Sequence, residues 1–86
     1  MSNKFAKELL ANKQVMATDG TEIGMLRNIV MEVKGGNLID LIVTPNENLD
    51  TSRYKKEDEY ILLPFASVSA IKDYIIIDKM KIRSDN

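Results

Sequence analysis

A long apolar stretch between two glycine turns constrains the fold of this chain most strongly. The stretch runs from Gly20 to Val33, with Asp19 before Gly20 and the pair Gly35 and Gly36 after it. Asp-Gly and Gly-Gly pairs supply the positive φ angles that tight hairpin turns require. We therefore predict one long β-strand that pairs with a strand on either side in sequence and forms the spine of a small sheet or barrel.

The alternation of apolar residues along this stretch breaks near its middle. Ile23 and Ile29 fall on one face of a regular strand, whereas Leu26 falls on the other. A bulge between Leu26 and Asn28 accounts for the break and lets one strand serve two sheets of a barrel. Gly24 leaves room for close backbone approach at such a corner. The alternative is a flat strand that is buried on both faces.

The other apolar runs are short and are separated by turn residues, which is typical of a small all-β fold. Proline offers no hydrogen-bond donor to a sheet, so Pro64 ends its strand, and a 3₁₀ turn is expected over 65–67. Five to six strands in a chain of 86 residues favour a small closed barrel over an open sheet with bare edges. The predicted strands besides the long one are 13–17, 37–43, 60–64, 68–71 and 74–78.

Side-chain directions are predicted for the strand that follows the Gly35-Gly36 turn. Leu41 and Val43 are expected to face the core alongside Ile39, with Asp40 pointing outward. This assignment follows from the two-residue period of a β-strand.

Three segments are predicted to lie outside the regular sheet. Residues 44–59 end in the charged cluster 55–59 and cannot bury an apolar face, so a long mobile loop is expected. Residues 79–86 form a polar tail, in which Met80 and Ile82 extend the last strand as an alternative. Residues 5–10 fit either one helical turn or an extended lead-in.

Composition bounds the size of the protein and its compartment. A chain of 86 residues forms one domain, because two separate cores would each be too small. A formal net charge of −1 gives no field that would attract phosphates or an anionic membrane along the whole chain. No apolar run is long enough to cross a membrane, so we expect no membrane insertion and a cytoplasmic protein.

The inventory of reactive side chains argues against catalysis. The chain has no Cys and no His, which removes thiolate chemistry, zinc sites and the usual proton shuttle. Ser67 and Ser69 fit turn formers, and the carboxylates lack the spacing of a calcium loop. The glycines of 19–24 lack the third glycine and the lysine of a phosphate-binding loop. We therefore predict no enzymatic activity, no metal and no cofactor.

Taken together, the turns and apolar positions resemble the PRC-barrel family over nearly the whole chain. This family is named for the photosynthetic reaction-centre H subunit and also includes the C-terminal end of a bacterial ribosome maturation factor. Asn12 stands where members often carry glycine, and Asn28 stands where aspartate is common. The residues that carry the resemblance most directly are Gly20, Ile23, Gly24, Leu26, Gly35, Gly36, Pro64, Phe65 and Val68.

The resemblance implies a binding or adaptor module without shared chemistry. Short stand-alone members are similar to archaeal proteins that associate with one another and with the machinery that anchors cell division to the membrane. Fused members serve ribosome assembly or electron-transfer complexes. By this resemblance, the chain would bind a protein partner and could reach the membrane through that partner.

An apolar surplus predicts where such a partner binds. The consecutive apolar runs cannot all point into one small barrel, so alternate members must face outward. We predict an interaction surface that includes Val30, Ile61, Leu63 and Ile76, and a homodimer that covers it. The alternative is that loop and tail residues cover this surface.

An RNA-binding or ribosome-assembly accessory protein is the second functional hypothesis. It requires the basic residues near the two ends of the chain to converge into one patch, whereas solvated ends are the alternative. Binding of a small ligand inside the barrel is disfavoured because the side chains of a small barrel fill its interior. The basic residues are Lys4, Lys7, Lys13, Lys79, Lys81 and Arg83.

Overall fold

The protein is described by a computed structural model over residues 12–82, which form an all-β domain. The segment 5–10, Lys4, Lys7 and Arg83 lie outside the described residues. Three 3₁₀ turns cover Thr51–Arg53, Phe65–Ser67 and Lys79–Lys81. The strands are β1 (Gln14–Ala17), β2 (Glu22–Met31), β3 (Leu38–Pro45), β4 (Lys55–Glu57), β5 (Tyr60–Pro64), β6 (Val68–Ile71) and β7 (Ile75–Ile77).

The seven strands form one sheet in the order β4-β5-β3-β2-β1-β7-β6. Neighbouring strands are antiparallel except for β1 and β7, which run parallel. The sheet curls around a single aliphatic core, and its strand order has two ends, β4 and β6. The all-β prediction is confirmed, as is the 3₁₀ turn directly after Pro64.

Both predicted hairpins form around their glycines. At the first turn, the Asp19 carboxylate accepts the backbone N–H of Thr21 at 3.0 Å, and Gly20 adopts a φ of 90°. At the second turn, Gly36 adopts a φ of 71° and donates its N–H to the Glu32 carbonyl at 2.9 Å. These turns place β2 between β1 and β3, as the spine of the sheet.

The predicted bulge in β2 is confirmed. Leu26 lies opposite Val43 and Asn28 lies opposite Ile42, so Arg27 has no residue opposite it. The extra residue changes which side chains face inward: Leu26 is fully buried and Ile29 packs against the core, although they are three positions apart. One continuous strand can therefore bend and contribute to the core along most of its length.

At Gly24, β2 approaches β3 too closely to leave room for a side chain. A Cβ atom at this position would lie 2.0 Å from the backbone carbonyl oxygen of Thr44 on the neighbouring strand. Only glycine fits there without moving β3. Asn12 adopts a φ of 67°, the left-handed conformation that asparagine tolerates in place of glycine.

Aliphatic side chains from five strands fill the interior. Partly buried residues pack against this core, among them the motif residues Phe65 and Val68 and also Ile29 of β2. Ser67 is fully buried and donates its hydroxyl to the Pro64 carbonyl at 2.6 Å, which satisfies it inside the 3₁₀ turn. The core residues are Val15, Ala17, Ile23, Leu26, Leu41, Val43, Ile61, Leu63, Ile75 and Ile77.

The segment 44–59 is more regular than the predicted loop. Residues 44 and 45 belong to β3, and 55–57 form β4, which raises the strand count to seven. Lys55 pairs with Leu62 and Glu57 pairs with Tyr60, so the backbone of β4 bonds to β5 while its side chains stay in water. β4 therefore forms through backbone pairing with β5, although it has no apolar face.

One predicted side-chain position is wrong, and the alternative in which Met80 extends the last strand does not occur. Leu41 and Val43 are buried as expected, but Ile39 is 46% exposed, because the β2–β3 register shifts between Val30 and Met31 and skips it. Met80 does not extend the last strand. The Asp78 carboxylate accepts the Met80 N–H at 2.9 Å and turns the chain into a 3₁₀ turn, which leaves Met80 92% exposed.

Candidate interaction surface

The outward side of β5 differs from the predicted interaction surface. Ile61 and Leu63 are wrong as surface residues, because they are 1% and 0% exposed. Leu63 lies opposite Leu41, and Ile61 lies opposite Val43, both of which face the core. Side chains alternate along a strand, so Leu62 is the member of this run that points outward.

Three aliphatic side chains form an apolar patch on the outside of the central strands. We call Val30, Ile42 and Leu62 the outer patch. Leu62 lies directly opposite Ile42 on the neighbouring strand, and Ile42 lies opposite Asn28 of β2, two residues before Val30. All three are half-buried, and none belongs to the core cluster. Charged residues flank the patch, because Val30 lies opposite Asp40 and Leu62 lies opposite Lys55. Val30, a predicted surface residue, therefore belongs to this patch.

A second apolar row crosses the other half of the sheet and ends at its edge. Met16 lies opposite Ile76, and Ile76 lies opposite Ala70 of β6. We call these three residues the edge row. Ile76 is half-buried between the fully buried Ile75 and Ile77, so it faces outward as the sequence predicts.

The two ends of the sheet carry different chemistry. β4 reads Lys-Lys-Glu and all three residues are exposed, which is a common protection of an edge against pairing with another chain. β6 reads Val-Ser-Ala-Ile and carries no charge, although its register with β7 shifts around Ser69. Ile71 at the end of β6 is 44% exposed, and Tyr74 in the following turn is 38% exposed.

A polar groove lies near the first hairpin, between the segment that follows β3 and the last 3₁₀ turn. Its volume is about 430 Å³. Leu49, Tyr54 and Ile82 line it and also pack against the core. The remaining lining residues are polar or charged, and Arg53 and Lys79 supply the positive charges. Sequence reasoning missed this groove, because residues distant in the chain meet there only after folding.

One ion pair ties the first hairpin to the chain after β7. The Lys79 ammonium lies 3.2 Å from the Asp19 carboxylate and donates to the Thr21 hydroxyl at 3.0 Å. Hydrogen bonds from the Thr21 hydroxyl and N–H, with a smaller contribution from Lys79, lower the Asp19 pKa to about 2. This cluster is exposed and holds two turns together.

The predicted basic patch is divided by the fold. β1 and β7 run parallel, with Val15 opposite Ile75 and Ala17 opposite Ile77. Lys13 precedes the first of these pairs and Lys79 follows the second, so the two lysines lie at opposite ends of the strand pair. Lys79 is also paired with Asp19. Within the described chain, these two lysines do not converge.

Residues 12–82 contain neither a cluster of metal ligands nor a helix that could span a membrane. Between residues 12 and 82, no three acidic side chains lie close enough together to hold a metal ion. Helices in the described part are single 3₁₀ turns, and none is long and apolar enough to cross a membrane.

A family model supplies the decisive comparison. The model of the PRC-barrel domain matches residues 3–83, which is nearly the whole chain. This chain belongs to the PRC-barrel family. A relative in Methanocaldococcus jannaschii is 32% identical over 83 residues, which cover 96% of this chain and 91% of that protein. The relative is named only as an uncharacterized protein, so it confirms a shared domain and an archaeal relative without assigning a role.

The PRC-barrel motif residues serve the backbone and the core in this structure. Gly20 and Gly36 take positive φ angles in the two turns, and Gly24 allows the close approach of β3. Ile23 and Leu26 are fully buried. These motif residues therefore build the turns, the close strand contact and the core of the domain.

Proposed function

We propose that this PRC-barrel domain is a non-catalytic adaptor that self-associates and binds a protein partner. The observation that carries the proposal is the outer patch, in which Val30, Ile42 and Leu62 face away from a core that is already complete. Aliphatic side chains on an outer sheet face gain from burial against another surface, at about 25 cal/mol per Å² of apolar area.

The side chains that could perform chemistry support a non-catalytic role. The chain has no Cys and no His. The one buried hydroxyl among the described residues, that of Ser67, donates to a backbone carbonyl within its own turn. A nucleophile needs an adjacent base that a third group orients, and Ser67 is committed to a structural bond instead.

The setting that we propose is taken from the resemblance to short archaeal members of the family. Short archaeal members are similar to proteins of the cell-division machinery, and we place the proposed adaptor there. In this setting the domain would stay in the cytoplasm and reach the membrane only through its partner.

Binding to a native lysate tests partner recognition. We compare wild-type protein, Leu62→Lys in the outer patch and Gln14→Lys as the matched control. Gln14 is an exposed residue of β1, and β2 lies between β1 and the strands β3 and β5, so a lysine there adds the same charge away from the patch. A partner retained by wild type and Gln14→Lys but lost by Leu62→Lys supports the proposal.

Two results would contradict the proposed adaptor role of the outer patch. If all three proteins retain the same set of partners, the outer patch is not the binding surface. If only ribosomal components are recovered and their retention falls steeply with salt, the accessory role in ribosome assembly replaces the adaptor role. Sedimentation at micromolar concentration tests self-association separately, and a strict monomer contradicts that half of the proposal.

A further inference from the structure

We propose that two copies of this chain pair in antiparallel orientation through the edge of β6 that pairs with no strand among residues 12–82, so that their sheets join into one. This inference rests on the proposed self-association and assigns it to one edge. The outer patch is then left for the protein partner.

The contrast between the two edges is the first argument. Every β4 side chain is charged and exposed, whereas β6 carries no charge over its length. In an antiparallel pair about a twofold axis at Ala70, Ala70 would face the partner's Ala70 and Ile71 would face the partner's Ser69, with no like charges in contact. β4 presents three charged, exposed side chains, which is a common protection of an edge strand against pairing.

The apolar surface next to the edge is the second argument. The edge row runs from Met16 through Ile76 to Ala70, which is the outermost of the three. Pairing centred on Ala70 would extend the row into the edge row of the second copy. Ile71, now 44% exposed, would be covered opposite the partner's Ser69. Backbone hydrogen bonds and apolar contact would thus act at the same place.

The bulge at Ser69 limits the length of the interface. Val68 lies opposite Ile77 and Ala70 lies opposite Ile76, so Ser69 interrupts the regular ladder. Bulges near edges restrict pairing with other chains. The regular part of β6 is therefore short, and we expect a dimer that dissociates on dilution below micromolar concentration.

Single-cysteine variants test the arrangement directly, because the natural chain contains no Cys. In Ala70→Cys, two new thiols would face each other across the twofold axis. Opposed residues of antiparallel strands have Cα atoms about 4.5–5.5 Å apart, which suits a disulfide. Lys56→Cys, at the centre of β4, is the matched control. Mild oxidation followed by a non-reducing gel should give a covalent dimer for Ala70→Cys and mostly monomer for Lys56→Cys.

A charge variant tests whether β6 contributes to the affinity of the dimer. Ile71→Lys gives β6 the kind of charge that β4 already has, at a side chain that is exposed in the monomer. Sedimentation should show the dimer dissociation constant raised roughly tenfold or more. The thermal midpoint of the diluted monomer serves as a check that the fold is retained.

The outcomes separate this inference from the proposed function. If wild type is a dimer but Ala70→Cys does not cross-link, or Lys56→Cys cross-links equally well, the β6 edge is not the contact and self-association through another surface stands. The same holds if Ile71→Lys leaves the dissociation constant unchanged. A wild-type protein that stays monomeric overturns both the self-association and its assignment to β6.

Discussion

The neighbouring leucines of β5 show how the two faces of this sheet differ. Leu63 is fully buried against Leu41, whereas Leu62 lies half-buried on the outside against Ile42. The residue types on both sides are the same, so hydrophobicity alone does not distinguish the faces. The inner face packs into the core, whereas the aliphatic side chains of the outer face do not belong to it. This comparison teaches that the direction of each side chain decides which residues of an aliphatic run build the core and which are left for the binding surface that we propose.

We expect the largest effect on stability from the close approach of β3 to Gly24. Gly24→Ala places a Cβ atom 2.0 Å from the Thr44 carbonyl oxygen, and β3 must move to relieve the clash. We expect a loss of about 4 kcal/mol or more in the free energy of unfolding, by urea denaturation. Gly20→Ala is the control, because its Cβ meets nothing within 4 Å and only the φ of 90° is strained. Equal losses for the two variants would contradict the packing role of Gly24.

Truncation of the two leucines tests the comparison itself. Leu63→Ala leaves a cavity in the core and should cost about 3 kcal/mol, whereas Leu62→Ala should cost about 1 kcal/mol or less. Chemical denaturation of both variants measures the difference. Similar costs would mean that the outer patch contributes to the core of the monomer, which would weaken its assignment as a binding surface.

Removal of the buried Ser67 hydroxyl in the 3₁₀ turn should have a smaller effect on stability. Ser67→Ala removes the bond to the Pro64 carbonyl and should cost about 1–2 kcal/mol. The midpoint of thermal unfolding should fall accordingly. Ser69→Ala, at an exposed position of the neighbouring strand, is the control and should change stability little. A neutral Ser67→Ala would show that the turn forms without its hydroxyl.

We expect the smallest effect on stability from the exposed Asp19 cluster, and this effect should depend on pH. The Asp19 pKa is lowered from 3.8 to about 2 by the Thr21 hydrogen bonds and by Lys79. The carboxylate therefore stabilises the folded state above about pH 4, and this contribution is lost as the pH falls toward 2. The stability difference between wild type and Asp19→Asn should be constant near neutral pH and shrink below pH 4. A difference that does not change with pH would contradict the charged role of Asp19.

Local chemistry made several features predictable. The Asp-Gly and Gly-Gly turns fixed both hairpins, because few residues other than glycine accept their φ angles. The break in alternation located the bulge beside Leu26, and Pro64 located the 3₁₀ turn. The resemblance to the PRC-barrel family includes these same residues, which explains why the fold was recognisable from local sequence.

Other features were decided only by the tertiary structure. Which of Leu62 and Leu63 points inward depends on the register of β5 against β3, and Ile39 lost its place in the core to a register shift against β2. β4 exists because its backbone pairs with β5, although its charged sequence is typical of a loop. Lys13 and Lys79 were separated by the parallel pairing of β1 and β7. In each case a residue's direction follows from hydrogen bonds to a distant strand, and the sequence around that residue does not contain this information.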